Sequence, residues 1–150
     1  MNENIKKICE ELRQFPLYEK IELEALIAMV GVAKELEVDL NNILNGGLTY
    51  VGGKVVMSVH MLHVLIREKK HSITRDKKSN DTICILHGRR ADNGDTWVES
   101  YSIEDAERDG LTSRPSWKIG CKDRLFEKAL LRLAQGLFSD VMKNCQIEIA

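Results

Sequence analysis

Proline is scarce here, two residues in 150, and no apolar stretch approaches the ~18 residues that a bilayer-spanning helix needs. The first shortage, with only ten glycines, excludes collagen-like and proline-rich chains. The second leaves no candidate transmembrane helix. The opening residues, MNENIKKICEELRQF, interleave charged and apolar side chains without a continuous apolar core, so no secretory signal is recognised and a cytoplasmic location is expected. Cys9, Cys84, Cys121 and Cys145 stand far apart, with no Cys-x-x-Cys and no His-x-x-x-His near them. They read as reduced thiols, Cys84 being placed in a strand-like apolar run. No zinc site is expected. His60 and His63 share one helix face but have no recognisable third ligand. The double glycines at 46–47 and 52–53 lack the Gly-x-x-x-x-Gly-Lys-Ser/Thr spacing of a phosphate loop, so turns account for them better. Also missing is any nucleophile beside a base or any catalytic carboxylate pair, and the acids from Asp92 to Asp109 fall at a turn and a short helix. No catalytic residue, metal or cofactor is expected.

What is there is one domain's worth of regular patterning over 1–150. A chain this long buries roughly 68–70% of its unfolded surface, enough for a core without staples. Helical periodicity covers 2–14 and 19–37, the latter striped by Ile21, Leu23, Leu26, Ile27, Val30 and Leu36, with Pro16 between the two. A short helical turn at 39–44 ends in Asn45-Gly46-Gly47. Leu48 to Val51 and Lys54 to Met57 flank Gly52-Gly53, the two-residue loop of a hairpin with a primed turn. Ser58 caps a helix with Met61, Leu62, Leu65 and Ile66 on its apolar face, and a strand fits 71–75. Residues 82–89 and 96–101 form a second hairpin around Asp92-Asn93-Gly94-Asp95. Ser102 to Asp105 reads as a capping box, 111–121 as a connector, and 122–138 as the final helix. The expected class is α+β: a small, mainly antiparallel sheet of two hairpins packed with helices.

The net charge of −1 argues at first against a polyanion partner. Divided by segment it becomes −4 over 1–53, +5 over 54–78, −5 over 79–113 and +4 over 114–143. One basic block holds Lys54, Arg67, Lys69, Lys70, Arg75, Lys77 and Lys78. The other holds Arg114, Lys118, Lys122, Arg124, Lys128 and Arg132. In the second block the pairs 118–122, 124–128 and 128–132 are four apart, and like charges at that spacing on a helix repel by a few tenths of a kcal/mol. A cationic face tolerates this best against an anionic partner, of which phosphate is the commonest; the competing account is a solvated face paired with nearby acids. Trp117 and Tyr50, beside the basic blocks, are suited either to base stacking or to the core.

The run from Leu44 to Ser58 (LNGGLTYVGGKVVMS), then Leu65-Ile66-Arg67 and His71-Ser72-Ile73, resembles the RecT family of phage recombination proteins. Collinear with these stand Gly88 to Asp95 (GRRADNGD), Tyr101 to Ala106 (YSIEDA), Gly110-Leu111, Trp117-Lys118, Ala129 to Ala134 (ALLRLA) and Leu137 to Val141 (LFSDV). The similarity spans about 20–145. It departs from the family pattern where Cys121 and Arg124 replace the usual proline and methionine, Lys128 the usual arginine, and Ser139 the usual proline. Lysine at 128 lacks the guanidinium fork for a bidentate phosphate contact. The chain also stops soon after the last helix, where longer relatives continue, as in a short, divergent member.

The resemblance implies ATP-independent annealing of complementary single-stranded DNA by a homo-oligomer, ring or filament, that grips the sugar-phosphate backbone in a basic groove. On that reading Lys54, Arg67, Lys69, Lys70, Arg75, Lys118, Lys122, Arg124, Lys128 and Arg132 contact phosphate, and Trp117 supports or stacks. Two other readings stay open. One is a self-assembling interaction module without nucleic-acid binding, its basic segments facing a neighbouring copy's acidic ones. The other is a divergent relative that no longer anneals.

Overall fold

Local signals set most of the element boundaries. The computed structural model describes residues 3–143 and 145–148, so residue 2 of the expected first helix lies outside the described residues. Helices α1 (Glu3–Leu12), α2 (Leu23–Leu36) and α3 (Asn41–Leu44) precede the hairpin of β1 (Leu48–Val51) and β2 (Lys54–Ser58). Gly52 and Gly53 turn that hairpin at φ 59° and 80°, the left-handed region that a Cβ disfavours. At Ser58 the strand ends and α4 (Val59–Glu68) begins, because the Ser58 hydroxyl accepts the Met61 N–H at 3.1 Å. The meander β3 (Ser72–Arg75), β4 (Ile83–Arg89) and β5 (Thr96–Ser102) follows. The capping box at 102–105 forms in full: Asp105 N–H donates to Ser102 Oγ and Ser102 N–H to Asp105 Oδ2, starting α5 (Ile103–Arg108). Then come α6 (Pro115–Ile119), α7 (Cys121–Leu137), α8 (Ser139–Met142) and β6 (Gln146–Glu148).

The class is α+β, with the two hairpins in separate three-stranded sheets. The first sheet has the order β1-β2-β6, β6 lying parallel to β2; the second is β3-β4-β5 and wholly antiparallel. The division has a local cause: α4 follows β2 without a linker and carries the chain away, so β3 begins a new sheet. The expected last helix ends one residue early at Leu137, and the expected connector contains α6, with Pro115 in its first turn. Gly120 separates α6 from α7, so Lys118 and Lys122 lie on different helices rather than on successive turns of one.

The larger core is made by the inner face of the second sheet, α4 and α7, with Leu62, Ile66, Leu86, Tyr101, Leu130 and Leu133 among its fully buried or nearly fully buried members. A smaller cluster of Cys9, Leu26, Met29, Val30 and Ile43 joins α1 and α2. Along β4, Cys84, Leu86 and Gly88 are buried, whereas His87 and Arg89 on the opposite side are exposed, the alternation that a one-sided sheet imposes. Gly88 is where α7 comes closest: a Cβ there would stand 2.9 Å from Leu133 Cδ1 and 2.9 Å from Leu137 Cδ2. Gly88→Ala should therefore lower stability by roughly 1–3 kcal/mol through overpacking, read from the urea midpoint. An unchanged midpoint would mean that α7 slides off β4 without cost.

Candidate nucleic-acid interface

The basic block of 54–78 is carried by a hairpin turn, a helix end and an edge strand. Lys54 follows Gly53 at the tip of β1–β2. Arg67 occupies the last turn of α4, where the helix dipole favours a cation, and Lys69 is its C-cap. Lys70 closes the helix at φ 69° with its N–H on the Arg67 carbonyl. From there β3 runs along one edge of the second sheet to Arg75, and Lys77 and Lys78 lie in the turn beyond. All seven cations are exposed. Lys69 has a partner, Glu37, at 3.9 Å. Among the described residues, no carboxylate lies within ion-pair distance of Arg67, Lys70, Arg75, Lys77 or Lys78. Asp76, placed among them, is engaged elsewhere: it accepts the Lys78 N–H at 2.8 Å and meets His87 Nε2 at 2.7 Å. These contacts, the Lys78 N–H foremost, hold its carboxyl below the usual range.

The second block is arranged differently. Arg114, the N-cap of α6, and Lys118 on that helix are exposed, and Lys122 is exposed in the first turn of α7. Trp117 between them points inward, 3% exposed and tilted against the buried Tyr101 at 6.2 Å, which leaves no ring face open to a base. Arg124 is engaged by Glu127 at 2.9 Å, both side chains being only 21% exposed. Burial pushes the Glu127 carboxyl up, and Arg124 opposes that rise. Lys128 and Arg132 lie over the Tyr101 ring, at 5.3 and 4.6 Å from its centroid. Arg132 also donates to the Ser100 carbonyl at 3.1 Å and stands 3.7 Å from Asp105. The four-residue spacing that marks 124, 128 and 132 in the sequence thus lines cations against an aromatic ring, a carbonyl and two acids. Their charge is largely met within the fold.

The first block joins up with a residue the sequence did not single out. Two concavities of about 510 and 370 Å³ share Leu36 and Lys143 in their walls, with Lys54 lining the first and Lys69 the second. No cation of α6 or α7 lines either. Lys143 sits just beyond α8 at φ 46° and donates to the Glu35 carbonyl at 2.8 Å, a position without periodicity to announce it. Arg90, also unmarked in the sequence, is a strut: at 13% exposure it reaches Asp140 at 2.6 Å, Asp92 at 2.8 Å and the Leu137 carbonyl at 2.8 Å, tying the β4–β5 turn to α7 and α8. Beside the guanidinium, Asp92 titrates at about 2, and Asp140 is also held low. Of the two tryptophans the open one is Trp97 on β5, 45% exposed and lying against Gly136, where a Cβ would stand 2.8 Å from the indole.

His63 packs on Phe126, and burial lowers its pKa. Among the described residues no group of three His, Cys, Asp or Glu side chains is disposed to hold a metal ion, and the four cysteines are unpaired. No helix among them is long and apolar enough to cross a membrane. No family model matches the chain, and no curated protein matches it either.

Proposed function

We propose that this protein binds single-stranded DNA through its phosphates and anneals complementary strands without ATP or covalent chemistry, as a homo-oligomer acting in the cytoplasm. The observation that carries the reading is the row of exposed cations flanking β3, from Arg67 to Lys78, five of which have no acidic partner among the described residues. Unpaired cations on a sheet edge leave a positive field that neighbouring acids do not cancel, and a flexible polyanion lying along that edge releases its counterions. The motif order shared with the RecT family points to the same class of partner. Backbone contacts carry no sequence information, so base edges stay free to find a complement. Holding two strands as partly neutralised backbones lowers the repulsion that slows their pairing, and this is all the chemistry that annealing needs. The test is a filter-binding titration with oligo-dT at several salt concentrations. Five phosphate contacts predict a slope of about −3.5 in log K against log salt, from about −0.7 per contact on a single strand. Absent binding, or affinity flat in salt, would sink the reading.

A further inference from the structure

Two further features complement each other, the second touching the cation row only through Glu37, which stands 3.9 Å from Lys69. Ile119, at the corner between α6 and α7, is 91% exposed, more than any other large apolar side chain among the described residues. Lys118 and Lys122 flank it, both exposed and without a carboxylate at ion-pair distance. Trp117, buried one residue before Lys118, anchors this corner to the core and holds its tip outward. The second feature is a cavity of about 600 Å³ between the end of α2, the Gly46-Gly47 turn and α4. Met61, buried, Val38, half-buried, and Val64, 39% exposed, form an apolar strip in a wall that also carries Asn42, Asn45 and Ser58, and the rim carries the exposed carboxylates of Glu37, Asp39 and Glu68.

We propose that the cavity receives the Ile119 corner of a second copy of this chain, with Lys118 and Lys122 meeting Glu37 and Glu68 at the rim. The tip is an apolar branched side chain with a cationic collar; the seat holds an apolar strip beneath an anionic rim, on which Glu37 also stands 3.9 Å from Lys69. A single exposed isoleucine needs no explanation by itself. The complementarity is in the pairing, since desolvating Ile119 supplies the central anchor while the charges fix register and exclude like-charged approaches. His60 lines both this cavity and the adjoining cleft that holds Asp123 and Arg124, so the cavity, which runs along α4 from His60 to Glu68, adjoins the start of α7 at one end. That closeness favours a reciprocal two-fold pairing, in which each copy gives a tip and takes one. The inference rests on the self-assembly included in the proposed function, and its test contains no DNA.

Sedimentation velocity of the full chain is the measurement. The wild type should sediment as a dimer or larger. Ile119→Asp should raise the dissociation constant of the assembly about 10-fold or more, as loss of a central anchor does. The double variants Lys118→Glu/Lys122→Glu and Glu37→Lys/Glu68→Lys should each be monomeric, and mixing the two should restore assembly, because every contact in the mixed pair again joins opposite charges. Circular dichroism melts check that each variant stays folded; all the substituted side chains are exposed. A monomeric wild type, a folded Ile119→Asp variant that still assembles, or a mixture of the reversed variants that stays monomeric would each overturn the proposal. A monomeric wild type in this DNA-free test, beside salt-dependent oligo-dT binding in the filter titration, would overturn the proposal while leaving DNA binding intact.

Discussion

Replacing Tyr101 with alanine should lower the free energy of unfolding by about 3–5 kcal/mol, the usual cost of emptying a large aromatic site in a core. Such domains are stable by only about 5–15 kcal/mol, so the variant should be partly unfolded or close to it at physiological temperature. Tyr101 has no exposed surface, and its ring meets Trp117 on one side and the cations of Lys128 and Arg132 on another. Its hydroxyl donates to Asp109. Burial, with Asp109 beside it, raises the phenol well above its ordinary value, so Tyr101 stays a neutral donor throughout the range where the fold is studied. Tyr101→Phe separates these contributions. It keeps the packing and loses one hydrogen bond to a carboxylate, so about 1.5–3 kcal/mol should be lost. Urea unfolding followed by tryptophan fluorescence reads both variants, with a shifted midpoint and an unchanged slope. If alanine cost no more than phenylalanine, the ring would not be the centre of the packing between β5, α6 and α7.

The same geometry explains where sequence reading succeeded. The Gly52-Gly53 turn, the Ser58 cap and the box at 102–105 each depend on residues within four positions of one another, and each is found where the sequence places it. The stripe of α2 and the long apolar face of α7 are equally local. Pairings across distance were not legible. β6 lies beside β2 with Val56 opposite Gln146, and three residues offer too little alternation to announce a strand. The break at Gly120 was hidden because the cations at 118 and 122 kept helical spacing across it. Charge shows the same limit. Composition by segment located the basic blocks, but whether a cation is available depends on partners far along the chain: Arg90 is held by Asp140, and Arg132 by Ser100 and Asp105. The surroundings of the two tryptophans were not legible for a related reason. Trp117 lies in a five-residue helix with no periodicity to mark its side as inner, while Trp97 is kept partly outside by a seat on Gly136, 39 positions away.

Two sets of substitutions divide the candidate interface, and they should behave oppositely. Changing Arg67, Lys70, Arg75, Lys77 and Lys78 together to alanine should flatten the salt dependence of oligo-dT binding by up to about 3.5 units, about 0.7 for each phosphate contact removed. Affinity at low salt should fall by orders of magnitude, equally for oligonucleotides of every sequence, because phosphate contacts do not read bases. Stability should change little, since all five side chains are exposed and pair with no acid among the described residues. The triple change of Lys122, Lys128 and Arg132 should do the reverse. Of these, Lys122 alone is fully exposed, so its loss should remove at most about 0.7 units of slope. The other two leave the Tyr101 ring without its cations, each worth about 0.5–1 kcal/mol in exposed settings, and leave Asp105 without Arg132. Their replacement should appear in the urea midpoint before it appears in affinity. Were the triple variant to abolish binding while the fivefold variant kept the wild-type slope, DNA would run along α7, and the cations beside β3 would be a solvated edge whose charge guards the sheet against strand addition.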